Sequence, residues 1–197
     1  PKLNYNIETA FLILDRTRWG IPFNAIEFLY HHPACEQITD KIIYALENSY
    51  TDDIVYNESY DSYMTFPLWY AIVAENHLSE KLIDPVIKLF TTTEDDWDFL
   101  NEQCQYLLVK LADKFPDLTV EKVLTAIEQQ AEQSSMFPYL FLFDTLFYAD
   151  LNKYKNRILA VLSNPKLYWA DDLASHIAHL QIKEAIPVIE KRLKDYA

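Results

Sequence analysis

The stretch WDFLNEQCQYLLVKLADKF, from Trp97 to Phe115, decides the fold class. Its apolar positions are Trp97, Leu100, Cys104, Leu107, Leu108, Leu111 and Phe115, the i, i+3, i+4, i+7 spacing that lines one face of a helix. Asp95, Asp96 and Asp98 crowd its start, where carboxylates suit unpaired N–H groups and the helix dipole. Pro116 ends the stripe, and Thr119 has the chemistry of an N-cap for a second helix carrying Val120, Val123, Leu124, Ile127 and Ala131 on one face. Two such helices, joined by a few residues, are expected to lie antiparallel.

The same unit recurs outward from this pair. Tyr5 to Arg18 with Pro22 to His31 forms a first pair, and Ile38, Ile42, Ile43 and Leu46 mark another helix. Leu68 to Asn76 precedes Glu80 to Thr91 in the same arrangement. Near the end, Leu173, Ile177 and Leu180 lead through Gln181, Ile182 and Lys183 to Ile186, Ile189, Leu193 and Tyr196. Leu68 to Ala74 and Phe137 to Ala149 are apolar on every side, which expects both at the centre of the structure. Tyr139 to Phe143 alone also fits a buried strand, but the sequence offers it no partner strand.

Composition agrees. The chain of 197 residues has one glycine, Gly20, where average usage of about 7% would give roughly a dozen. Hairpins, dinucleotide-binding turns and phosphate-cradling loops need glycine, whereas short polar links between helices do not. An all-α chain follows, organised as a single domain over residues 1–197. Cys35 and Cys104 read as reduced thiols. The longest apolar runs, such as Pro67 to Ala74 and Met136 to Phe143, fall short of the roughly 18 residues a membrane span needs. No basic-then-apolar leader opens the sequence, so a cytoplasmic location is expected.

One internal echo supports repetition. Ala178-His-Leu180 leads to Ala185-Ile-Pro-Val-Ile189, and Ala74-Glu-Asn-His-Leu78 leads to Ile83-Asp-Pro-Val-Ile87. Proline fits the first turn of the second helix because no intrahelical N–H bond is lost there. On these residues the chain resembles the HEAT-like superfamily of helical repeats. The resemblance is best over 168–196, fair over 66–133 and weak elsewhere. Ile21-Pro-Phe-Asn-Ala-Ile26 with Ile38-Thr-Asp-Lys-Ile-Ile43 is also similar to a bacterial family of HEAT-like proteins to which no activity attaches. The resemblance implies a right-handed α-α superhelix, a solenoid of about five antiparallel helix pairs.

The formal charge of −13 is unevenly spread. Residues Glu36 to Glu102 hold 15 acids and 3 bases, a net of −12, and the remainder is nearly balanced. Such a segment repels phosphate backbones and anionic lipid and attracts cations, so neither nucleic acid nor membrane is an expected partner. Within it, Asn48 to Ser62 has no helical stripe and reads as a long loop. Asp52, Asp53, Tyr56, Glu58, Tyr60 and Asp61 in that loop, with Asp95, Asp96 and Trp97, are the candidate partner-binding residues. Tyrosines supply contact area at low entropy cost, and carboxylates supply steering and arginine pairing. The competing reading makes Asp95 and Asp96 helix caps, Trp97 core, and the tyrosines the packing that holds the loop down.

Signatures of catalysis are absent: no Gly-rich phosphate loop, Gly-x-Ser-x-Gly, Cys-x-x-Cys, His-Glu-x-x-His or EF-hand spacing occurs. Asp172, His176 and His179, at helical spacings of four and three, are the candidate metal ligands. Ile177 and Leu180 fix the buried face of that helix, so surface histidines are the plainer reading. His31-His32 precedes Pro33 and reads as a helix terminus. The expectation is a non-enzymatic interaction module or scaffold, with no cofactor, whose acidic region 36–102 docks a basic protein or peptide, in one version as an inhibitor or immunity-type protein. The alternative is a metal-dependent hydrolase or lyase on a helical-repeat scaffold.

Overall fold

The computed structural model describes residues 5–17, 20–48, 66–92, 98–133, 140–167 and 173–195. Among them are eleven α-helices and three short 3-10 turns, and no strand. The chain divides into two compact units, Pro1–Leu89 with Asp95–Lys110, and Phe90–Glu94 with Leu111–Ala197.

The first unit is built around one apolar helix. Helices α1 (Ile7–Arg16), α2 (Phe23–His31) and α3 (Glu36–Glu47) all pack on α4 (Phe66–Ala74), and α1 also packs on α2. Leu68, Trp69, Tyr70, Ala71, Val73 and Ala74 are all buried, so the centre expected for this segment is found. Caps and turns fix the surrounding helices. Asn6 accepts the N–H of Thr9 at 2.7 Å to start α1. Gly20 takes φ 69 before α2 begins. His31 is the last residue of α2 and His32 its C-cap, the terminus expected ahead of Pro33.

Burying Tyr70 completely forces its hydroxyl to find a partner. It donates to Asp15 Oδ1 on α1 at 2.7 Å, and Lys41 on α3 donates to the other carboxylate oxygen at 2.8 Å. The Lys41 ammonium also lies over the Tyr44 and Tyr70 rings, 5.3 and 5.7 Å from their centroids. One carboxylate thereby ties three helices together.

After α4, the 3-10 turn Glu80–Leu82 leads into α5 (Ile83–Thr92), with Ser79 accepting the N–H of Lys81. The turn Lys183–Ala185 leads in the same way into α11 (Ile186–Asp195). The sequence echo therefore corresponds to a shared local geometry, a 3-10 turn followed by a helix with proline in its first turn.

Helix α6 (Asp98–Lys114) buries Leu100, Cys104, Leu107, Leu108 and Leu111, as its periodicity requires. Complete burial raises the Cys104 thiol well above its ordinary range and leaves it protonated. Helix α7 (Pro116–Gln133) differs from expectation. Pro116 opens it instead of standing in a link, because the first helical position has no N–H bond to lose. Thr119 is therefore inside the first turn, fully buried, with its hydroxyl donating back to the Leu111 carbonyl at 3.2 Å. Val120, Val123, Leu124, Ile127 and Ala131 form the buried face expected of them.

The rest of the second unit comprises α8 (Leu140–Thr145) with the 3-10 turn Leu146–Tyr148, α9 (Leu151–Ser163), α10 (Leu173–His179) and α11. Helix α7 packs on α8 and α9, and α8 packs on α10. Phe137 to Ala149 is only partly central. Leu142, Phe143 and Leu146 are buried, whereas Phe147 is 62% exposed, because the helix gives way to a 3-10 turn that rotates it outward. Helix α9 has no counterpart among the segments read from the sequence. Asp150 caps it, and Tyr154, Ile158, Val161 and Leu162 form its buried stripe. Arg157 fastens it to α7, reaching Glu121 at 2.5 Å, Thr125 at 2.9 Å and both oxygens of Glu128 at 2.7 Å. The stripe expected on α11 is not a core stripe: Ile186 and Leu193 are 52% and 55% exposed, and Ala185, just ahead of the helix, is buried instead.

Tyr70→Phe tests the central tie. Burial, reinforced by Asp15, raises the Tyr70 phenol above its ordinary range. It stays protonated in the folded protein where the unfolded chain ionises, so its contribution is complete below about pH 10 and is lost as pH rises further. The substitution is expected to cost about 1–2 kcal/mol at neutral pH. In urea unfolding, the gap to the parent protein should narrow above pH ~10; a gap that widens would contradict this account.

Candidate interaction surface

The acidic segment has few bases, and the structure shows how two of them are used. Lys41 is committed to Asp15. Lys81 lies 3.0 Å from Glu36 and 3.9 Å from Asp40, and the Glu36 hydrogen bond is the main cause raising the Lys81 ammonium above its ordinary range. These lysines cancel acids on α1 and α3 and do not form a separate basic patch. Glu47, Glu80 and Glu102 remain solvent-exposed.

A second group of polar side chains leaves the end of α4. Glu75, Asn76 and His77 follow one another, and each holds a different element. Asn76 donates to the Tyr30 carbonyl at 2.6 Å, and His77 Nε2 faces the Leu29 carbonyl at 2.7 Å. Both carbonyls belong to the last turn of α2, where the Leu29 carbonyl also accepts the His32 N–H at 3.2 Å. A carbonyl can only accept, so His77 Nε2 carries the proton. Glu75 accepts from Gln103 at 2.5 Å and also pairs with Lys110, raising the Lys110 ammonium above its ordinary range. His77 is 2% exposed, and its role is structural.

The nine candidate partner-binding residues, Asp52, Asp53, Tyr56, Glu58, Tyr60, Asp61, Asp95, Asp96 and Trp97, all lie outside the described residues. So does the loop expected over 48–62, except for Asn48, which caps α3 and donates to the Tyr44 carbonyl at 2.8 Å. Asp172 and the side chain of His176 also lie outside them, and His179 is exposed on α10. Among the described residues, no group of three or more His, Cys, Asp or Glu side chains is placed to hold a metal ion. No described helix is long and apolar enough to cross a membrane.

Two features of the described surface were not anticipated. In the second unit, Ser163, Pro165, Pro187, Val188, Lys191 and Arg192 line an open cleft of about 280 Å³. Arg192 is spent on the Asn164 and Pro165 carbonyls at the end of α9, which leaves a shallow apolar floor with Lys191 at its rim. In the first unit, α6 presents Phe99 and Tyr106, 47% and 66% exposed, with exposed Glu102 between them. The signal for this stripe was in the sequence: Phe99 and Tyr106 are seven residues apart and out of phase with the buried positions Leu100, Cys104, Leu107 and Leu111.

Comparison of the chain with family models, with curated proteins and with solved structures gives no match.

The clasp at the end of α4 is testable. His77→Ala removes the shorter of two hydrogen bonds to the Leu29 carbonyl, which keeps the His32 N–H, and is expected to lower stability by about 1 kcal/mol. Thermal unfolding of parent and variant measures it; an unchanged midpoint would show that the His32 N–H alone satisfies the Leu29 carbonyl.

Proposed function

We propose that this chain is a non-catalytic interaction module, a HEAT-like stack of helix pairs whose acidic region docks a basic protein or peptide. The observation that carries the reading is the segregation of charge: net −12 over residues 36–102 in a chain of net −13. Two features support it. Lys41 and Lys81 pair with acids of the first unit, so these bases do not oppose an approaching cationic surface. The repeated entry through a 3-10 turn and a first-turn proline, at Glu80–Leu82 and Lys183–Ala185, suits a protein assembled from similar helix pairs. Solenoids of this kind present long surfaces to other proteins, and a dense acidic field over such a surface accelerates encounter with a cationic one. An inhibitor or immunity-type protein that covers a cationic enzyme is the specific form this reading takes.

The test is a pull-down from cell extract at low and at high salt, followed by kinetics on the retained protein. A basic partner is expected, held at low salt, with association slowing roughly tenfold or more as the Debye length shrinks. Asp53→Lys and Tyr56→Ala are expected to slow association further. A partner that binds equally well at both salt levels, through residues 103–197, would sink the proposal.

A further inference from the structure

The last part of the chain has a charge balance opposite to that of the acidic region. From Leu151 to Asp195 there are 8 Lys and Arg against 5 Asp and Glu, whereas residues 36–102 hold 3 against 15. The open cleft of about 280 Å³ lies in this basic stretch. Of its six lining residues, Lys191 and Arg192 are cations and none is an acid, in a chain whose acids outnumber its bases 30 to 17. Pro165, Pro187 and Val188 supply the apolar surface between them.

Most polar groups around the cleft are already satisfied. Helix α9 ends beside it, with Asn164 as the C-cap, and the partial negative charge of a helix C-terminus repels an anion. Arg192 removes that obstacle by donating to the carbonyls of Asn164 and Pro165, the second at 3.4 Å. The Ser163 hydroxyl donates to the Leu159 carbonyl at 2.7 Å. Lys191 differs from these. It is exposed on α11, and among the described residues no carboxylate pairs with it. Glu190 is its neighbour in sequence and so projects toward a different side of the helix.

We propose that this cleft is a docking site for an acidic peptide segment of a protein partner, which inserts one aromatic side chain and pairs a flanking carboxylate with Lys191. Size and charge together select that occupant. Cavities that enclose whole ligands run from about 300 to 1,000 Å³, so a shallow cleft below that range suits a single anchoring side chain. With the Ser163 hydroxyl and the two carbonyls engaged, the floor offers a guest mainly apolar contact. A ring laid on two prolines and a valine gains the most contact area for few frozen torsions. The unpaired cation at the rim, with no acid in the lining, makes the flanking charge negative. The site goes beyond the acidic docking surface, takes a ligand of opposite charge, and stands or falls without it.

The probe is a short fluorescently labelled peptide in which aspartate alternates with tyrosine, titrated with the full chain and read by anisotropy. Two control peptides replace every tyrosine by alanine or every aspartate by asparagine. The protein variants are Lys191→Gln, Val188→Gln and Lys183→Gln; Lys183 is exposed but does not line the cleft. Circular dichroism and thermal midpoints confirm that each is folded, and Lys191→Gln alters only an exposed side chain. The parent protein is expected to bind the aspartate–tyrosine peptide more tightly than either control. Lys191→Gln should weaken it about threefold, the size of one exposed ion pair. Val188→Gln should weaken it about fivefold through loss of apolar contact, and Lys183→Gln should leave it unchanged. No binding of the aspartate–tyrosine peptide, or equal binding of the alanine control, overturns the site. So does a loss on Lys183→Gln as large as that on Lys191→Gln, which would mark a diffuse attraction between opposite charges and no docking in the cleft.

Discussion

The first unit depends on the enclosure of a phenol. Helix α4 is apolar on nearly every side, so it is stable only where other helices cover it, and its tyrosine is carried inside with it. An unpaired buried hydroxyl would cost roughly 1–3 kcal/mol, and Asp15 removes that cost. The carboxylate has been drawn partly out of water in turn, and Lys41 compensates its charge. Each step follows from the one before, and the result fixes α1 and α3 relative to α4 more specifically than apolar contact alone would. The second unit reaches a similar end by other means. Arg157 reaches two glutamates and a threonine spaced along α7, so that α9 can dock in one register.

How the chain manages with one glycine is part of the same account. Helix ends need their carbonyls satisfied, and glycine in a left-handed conformation is the usual device. Here the end of α2 is closed by the His32 N–H on the Leu29 carbonyl together with the side chains of Asn76 and His77, which come from the end of another helix. After α10, Gln181 takes the left-handed conformation at φ 54, tolerating a strain that glycine would avoid. At α2, tertiary contacts supplement the local closure. The arrangement ties the termini of helices to the packing between them.

That reliance on tertiary contacts also explains what could and could not be read from the sequence. The helical class was legible from periodicity and from the missing glycines, and the central place of α4 from a segment with no polar side. The buried faces of α6 and α7 were legible residue by residue. Pro116 was not, because proline both terminates and initiates helices and only the observed start of α7 separates the two roles. Phe147 and Leu193 resembled core residues because their spacing fits a helical face, but periodicity says nothing about whether a neighbour covers that face. The pairing of Tyr70 with Asp15, 55 positions apart, has no local signature at all. For the candidate surface, the acidic bias is visible in the sequence, whereas Phe99 and Tyr106 fall outside the apolar phase of α6, so core periodicity does not mark them.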